Sequence, residues 1–275
     1  MGKFDGVLLV TDYDDTLYNH SMEVSQGNRD AISYFISNGG RFTVATGRAF
    51  ETFTPQIEKE KLTINAPVIL GNGSAIYDYE KCEYLHRSNL PGSIALHVQQ
   101  LLTLLPELGM ETYHDGKVFV YNPNEVTQKH LERVNVPYTV CERVADMDMP
   151  WVKLLLEQDH PMLEQARDIL VERWSDIYEV IFSNPYLLEV TAKGNTKGAL
   201  VEKLRNMLGF KSENVYCIGD NQNDIPMLEV SAIPFAPANC APAVKEWGSA
   251  RLVRHCDEDA IAHVIEILDG AYGDK

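Results

Sequence analysis

Two short acidic strings each sit at the end of an apolar run, and this pairing constrains the fold more than any other feature of the chain. Asp12-Tyr13-Asp14-Asp15-Thr16 follows Val7-Leu8-Leu9-Val10, and Gly219-Asp220-Asn221-Gln222-Asn223-Asp224 follows Val215-Tyr216-Cys217-Ile218. Each apolar run reads as a buried strand, and each acidic string is followed by a segment able to start a helix. In an open parallel sheet, ligands bind in the crevice beyond the carboxyl ends of the strands. Several carboxylates gathered there repel one another and raise their own pKa values unless a cation sits among them. Hard oxygen donors at such a place suit Mg²⁺, which is usually held by one or two carboxylates together with a substrate phosphate.

The rest of the sequence narrows the partners. The formal net charge is −16, which makes nucleic acid and anionic membrane poor partners. A small phosphorylated molecule needs only local positive charge, which a metal, Lys197, Arg48 and backbone amides can supply. The cysteines at 82, 141, 217, 240 and 256 are scattered and free of CxxC spacing, so reduced thiols in a cytoplasmic protein are expected rather than a disulfide frame or a zinc site. The eight histidines show no ligand spacing and are expected on the surface. The first apolar run is too short for a secretory leader, and no stretch approaches a membrane span.

Strands are expected at 7–12, 42–45 and 67–70, alternating with helices at 25–38 and about 49–59. After about residue 84 the rhythm changes to helix-then-hairpin units. Helices are expected at 92–105, 125–133 and 161–173, with strands at 109–114, 117–122, 151–156, 177–183 and 186–191. Asp115-Gly116 and Asn184-Pro185 serve as turn signals. From Lys197 the first rhythm resumes, with helices at 197–208, 224–230 and 258–268 and strands at 215–219 and 233–236. The fold class expected is α/β: a Rossmann-like parallel core built from 1–84 and 188–275, with an α+β cap inserted at 85–187. Trp151, Tyr113, Phe119, Tyr121, Tyr178, Phe182 and Tyr186 are expected in the core of that insert.

In order along the chain stand Asp12-x-Asp14-x-Thr16, Thr46-Gly47-Arg48, Lys197-Gly198 and Gly219-Asp220-x-x-Asn223-Asp224. This set resembles the haloacid dehalogenase-like (HAD) phosphatase superfamily. The insert between the Thr and Lys motifs, with Ala45-Thr46-Gly47-Arg48 and Asn72-Gly73, is similar to the Cof-type branch. The resemblance spans the chain as far as Asn239-Cys240-Ala241. It implies a Mg²⁺-dependent phosphatase in which Asp12 attacks phosphorus and forms an aspartyl-phosphate. Asp14 would act as general acid and then base, while Thr46 and Lys197 would stabilise the developing charge. The metal would be held by Asp12, the backbone carbonyl of Asp14 and Asp220, with Asn223 and Asp224 completing or orienting the shell. Gly47, Arg48, Asn72 and Asn223 join Thr46 as candidate substrate contacts. The implied substrate is a sugar phosphate or similar metabolite. Transfer to a second sugar, as in a mutase, and a catalytically silent metabolite-binding regulator are the rival readings. Asp15 stands where the family usually has Gly and is expected to point away from the site.

Each motif also has a plainer reading. Acidic strings are often solvated turns or calcium loops, but Leu17 occupies the place where an EF-hand loop from Asp12 needs Gly. Thr46 alone could cap the following helix. Arg48 could pair with a carboxylate at the sheet end as readily as touch substrate, and Asn72 could merely supply a turn.

Overall fold

The structure, a computed structural model, describes residues 2–273. It begins with β1 (Leu8–Thr11), α1 (Gln26–Ser37), β2 (Arg41–Val44), α2 (Phe50–Glu60), β3 (Val68–Leu70), β4 (Ala75–Asp78) and β5 (Glu83–Arg87). There follow α3 (Ile94–Leu104), β6 (Gly109–His114), β7 (Lys117–Tyr121), α4 (Glu125–Val134), β8 (Thr139–Cys141), β9 (Leu154–Glu157), α5 (His160–Trp174), β10 (Tyr178–Asn184) and β11 (Leu187–Ala192). The chain closes with α6 (Lys197–Leu208), β12 (Val215–Ile218), α7 (Ile225–Glu229), β13 (Pro234–Pro237), α8 (Pro242–Trp247), β14 (Arg251–Val253) and α9 (Ala260–Tyr272).

β1 lies inside a parallel sheet of order β14-β13-β12-β1-β2, with Leu8 opposite both Val215 and Arg41. Successive side chains on a strand face opposite ways, and the packing follows that alternation. Leu9 joins Ile32, Phe35, Ile261 and Ile265 beneath α1 and α9, whereas Leu8 and Val10 join Leu200, Leu204 and Met227 beneath α6 and α7. Helices on both faces of a parallel sheet are the doubly wound α/β arrangement, as expected. A parallel bridge between Ala45 and Ile69 hands the sheet on to the antiparallel set β3-β4-β5.

The middle of the chain forms a second sheet of order β10-β11-β9-β6-β7-β8, antiparallel except at the β7–β8 edge. Asp115 and Gly116 both take positive φ, 41° and 83°, the backbone a tight hairpin turn requires. One face of this sheet is apolar: Met110, Leu154, Leu156 and Leu188 pack on α3 and α5. The alternate positions Glu111, Leu155, Glu157 and Glu189 lie on the other face, and all four are buried.

The junctions expected near 84 and 188 both fall inside paired strands, because β5 folds back on β4 and β11 lies between β9 and β10. The chain passes between sheets after Arg87 and after Ala192 instead. The strand expected from 151 begins only at Leu154, since Trp151 and Val152 bond outside the ladder to Leu90 and Tyr113. β4, β5, β8, β14 and α8 have no counterpart among the expected elements; all are short, at most six residues. Among the described residues no helix is long and apolar enough to cross a membrane.

Candidate active site

The acidic strings meet at the carboxyl end of the parallel sheet because β1 and β12 are neighbours in register. The backbone N–H of Asp12 donates to the Ile218 carbonyl at 2.8 Å, which ties the two strand ends together. Lys197 opens α6, with Thr196 as its cap accepting from the Ala199 N–H. Its buried Nζ donates to Asp12 Oδ1 at 2.5 Å and to Asp224 Oδ1 at 2.6 Å. The other oxygen of Asp224 accepts the backbone N–H groups of Asp220 and Asn221, both at 2.9 Å. Gly219 permits this loop, because a Cβ there would run into the Asp224 carboxylate.

Asp12, Asp220 and Asp224 are all buried, and a carboxylate oxygen from each lies within 4.8 Å of the others. Burial first, and then the neighbouring Asp224 and Asp14, push the Asp12 carboxyl up to about 7 against the pull of Lys197. Asp220 rises well above the usual carboxylate range through burial and the charges of Asp12, Asp224 and Asp15. Three desolvated carboxylates around one ammonium leave negative charge in excess, which is the environment a hard divalent cation fits. Asp224 commits both oxygens to protein donors, while Asp220 Oδ1 accepts from Thr16 at 3.2 Å. Asp12 and Asp220 both line the cavity in front of the sheet.

Asp14 lies in a different electrostatic setting. Burial alone would raise its pKa, but Arg48 holds it below the usual value. The guanidinium grips it with two bonds, Nε to Oδ2 at 2.8 Å and Nη2 to Oδ1 at 2.7 Å. Arg48 therefore pairs with a carboxylate, the plainer of the two readings, while also lining the cavity. Thr46 accepts the Arg48 N–H at 3.1 Å, which leaves its hydroxyl proton able to donate. Gly47 gives its carbonyl to Lys153 at 2.7 Å, and a Cβ at this position would press on Glu189 and Asn72.

Asn72 does not line the cavity. It takes a positive φ of 51° and accepts from the side chain of Asn223, which does line the cavity, at 3.0 Å. Asp15 also departs from expectation. Its φ of 59° explains why glycine suits this place, and its side chain faces the cavity, 3.4 Å from Arg133 of α4.

The cavity measures about 610 Å³, with the polar face of the second sheet as its far wall. Sequence reasoning missed most of that wall. Lys153 and Glu189 form a buried pair at 2.8 Å. His130 is not a surface residue: its Nδ1 sits 3.0 Å from Glu111 and 3.2 Å from Glu157, and its ring borders the cavity. Burial alone would lower its pKa, but the two carboxylates raise it to about 9. Tyr186, expected in the core, is exposed and lines the cavity, because it sits in the turn between β10 and β11. No local pattern marks these residues; the one available signal was the charged members of alternate strand positions, Glu111, Glu157 and Glu189.

The chain is similar to known proteins along almost its whole length. Residues 9–265 match the family model described as haloacid dehalogenase-like hydrolase. The chain is 27% identical to the 5-amino-6-(5-phospho-D-ribitylamino)uracil phosphatase YwtE of Bacillus subtilis, covering 96% of this chain and 99% of that one. It is 24% identical to the pyridoxal phosphate phosphatase YbhA of Escherichia coli, over 86% and 90% of the two chains. The crystal structure of a haloacid dehalogenase-like hydrolase from Bacteroides thetaiotaomicron superposes with a TM-score of 0.83 at 25% identity, covering 96% of this chain and 99% of that chain.

Proposed function

Since the chain belongs to the haloacid dehalogenase-like hydrolase family, as an enzyme of phosphatase type, we propose that it hydrolyses a small phosphorylated metabolite through a phosphoryl group carried on Asp12. The observation that carries this reading is Lys197 Nζ, fully buried and 2.5 Å from Asp12. Lys197 opposes the protonation that burial favours and fixes one oxygen of Asp12, leaving the other for attack once a metal and the substrate complete the ionisation. Asp12 bonds to phosphorus as the ester oxygen departs, and water then cleaves the acyl-phosphate and releases phosphate.

Asp14 delivers the proton to the departing oxygen and takes one from the attacking water. Its grip by Arg48 means that it must first take up a proton, which the approach of an anionic phosphoryl group to the guanidinium would favour by drawing that charge away. Thr46 donates its hydroxyl to a phosphoryl oxygen. Mg²⁺ would be held by Asp12, Asp220 and the Asp14 carbonyl, supplying charge neutralisation and alignment of the phosphoryl group. Asp224, with both oxygens taken, orients Lys197 and the loop rather than binding the ion itself.

The insert from Ser88 to Ala192 acts as a cap whose polar sheet face meets the leaving group and excludes water. The names of the relatives, a ribitylaminouracil phosphate phosphatase and a pyridoxal phosphate phosphatase, support a metabolite of modest size. A panel of sugar, nucleotide and cofactor phosphates, assayed for phosphate release with and without Mg²⁺, tests the proposal. Mg²⁺-dependent turnover of at least one is expected. Binding without turnover would reverse the reading in favour of a regulator, and a phosphorylated acceptor in place of free phosphate would make the enzyme a transferase.

A further inference from the structure

A second group of metal-type donors lies outside the site described above. His20, His255, Cys256 and Asp257 each bring one ligand atom to within 4.8 Å of all the others. We propose that this cluster is a binding site for a thiolate-preferring transition ion of the zinc class, distinct from the carboxylate site that suits Mg²⁺. Two imidazoles, a thiol and a carboxylate form a set that hard cations disfavour and zinc takes readily.

The spacing suits it. A tetrahedral ion with bonds of about 2.0–2.3 Å separates its donors by roughly 3.3–3.8 Å. Here His255 Nδ1 lies 3.7 Å from Cys256 Sγ and 3.4 Å from Asp257 Oδ2. Asp257 Oδ1 lies 3.7 Å from the same sulfur, while its other oxygen is 3.0 Å from His20 Nδ1, closer than that range, so this pair would part slightly to admit an ion. His255 Nδ1 accepts the Asp257 N–H, so an ion binding there would displace that hydrogen bond. Cys256 forms the buried floor, whereas His20 and Asp257 are open to solvent, so an entry path exists. Binding must release the thiol proton and is therefore expected to strengthen as pH rises.

The site joins two distant stretches of chain. His20 closes the loop that begins with Asp12 and Asp14, and the other three precede α9. Asn239 already links the stretches, donating to the Asp15 carbonyl at 2.7 Å and accepting the Cys256 N–H at 2.9 Å. A bound ion would pin the catalytic loop to the start of α9.

Cobalt(II) titration of the intact protein in saturating Mg²⁺ tests this, because only a thiolate site gives a near-ultraviolet sulfur-to-cobalt charge-transfer band. The expected result is one such Co²⁺ per chain with intense tetrahedral visible bands, displaced by Zn²⁺. Cys256→Ser should abolish the charge-transfer band. His20→Ala, at an exposed position that folding tolerates, should weaken binding by about tenfold or more. No charge-transfer band in the native protein, a band that survives Cys256→Ser, or unchanged affinity in His20→Ala would overturn the proposal. Should Cys256→Ser fail to fold, His20→Ala decides.

Discussion

The two lobes each bury one cation between two carboxylates, and the contrast between the two groups explains how the molecule divides its work. At the parallel sheet, Lys197 stands between Asp12 and Asp224; in the cap, His130 stands between Glu111 and Glu157. The lysine is held charged at every physiological pH, so its group has a fixed polarity, with Asp220 as a further carboxylate that invites a divalent ion. The histidine can discharge. Beside it Glu157 is raised to about 7 by burial and the neighbouring Glu111 in spite of His130. A site proposed to form and break bonds to phosphorus uses the cation that cannot change; the wall proposed to shape a leaving-group pocket uses one that does.

The first way to break the comparison is to remove what only the core group is proposed to do. Asp12→Asn should lower Mg²⁺-dependent phosphate release by roughly 10⁴-fold or more with unchanged circular dichroism, since loss of a nucleophile is among the largest single-residue effects. Activity within tenfold of the native enzyme would remove Asp12 from the chemistry. Lys197→Met should cost roughly 10²–10³ in kcat. It should also lower unfolding free energy by about 3–5 kcal/mol, because Asp12 and Asp224 are left buried without a partner.

Substitution in the cap should move stability more than chemistry. His130→Gln should destabilise by about 3–5 kcal/mol near pH 6, where the imidazolium is fully charged, and by less near pH 9, where it discharges. The native protein follows the same sign. The folded state holds protons on His130 up to about 9 and on Glu157 up to about 7, against 6.5 and 4.5 for the free groups. It therefore binds more protons than the unfolded chain over this window, and stability falls as pH rises from about 4.5 to about 9. Urea unfolding at several pH values checks both signs, and parallel pH profiles for the two proteins would contradict the account. The smallest effect is expected at Arg133, which reaches from α4 to Asp14 and Asp15 at 3.4 Å but is substantially exposed. Arg133→Ala should change kcat/KM by less than about fivefold, the worth of an exposed ion pair.

The same contrast explains what could be read from the chain. Asp12, Lys197 and Asp220 were legible because each sits at a strand end or helix start, where apolar periodicity fixes its position. Packing β1 beside β12 then brings the motifs together without further information. His130, Glu111 and Glu157 were not legible, since each lies in a different element and only the cap sheet's register and the packing of α4 on it join them. His20 and Cys256 are still further apart in sequence, so spacing rules, which see one segment at a time, pass over them. Arg48 was legible as a candidate but not in its role, because its choice of Asp14 depends on a side-chain approach that no spacing encodes. The short strands β4, β5, β8 and β14 escaped because three to five residues carry too little periodicity to register.

The account rests on covalent capture of phosphorus by Asp12, and rapid quenching of a turning-over mixture with borohydride tests it most directly. Borohydride reduces an acyl-phosphate to the alcohol, so peptide mass spectrometry should find homoserine at position 12 only when Mg²⁺ and a phosphorylated substrate are both present. An unmodified Asp12 under conditions of demonstrated turnover, or reduction at a different carboxylate, would contradict it.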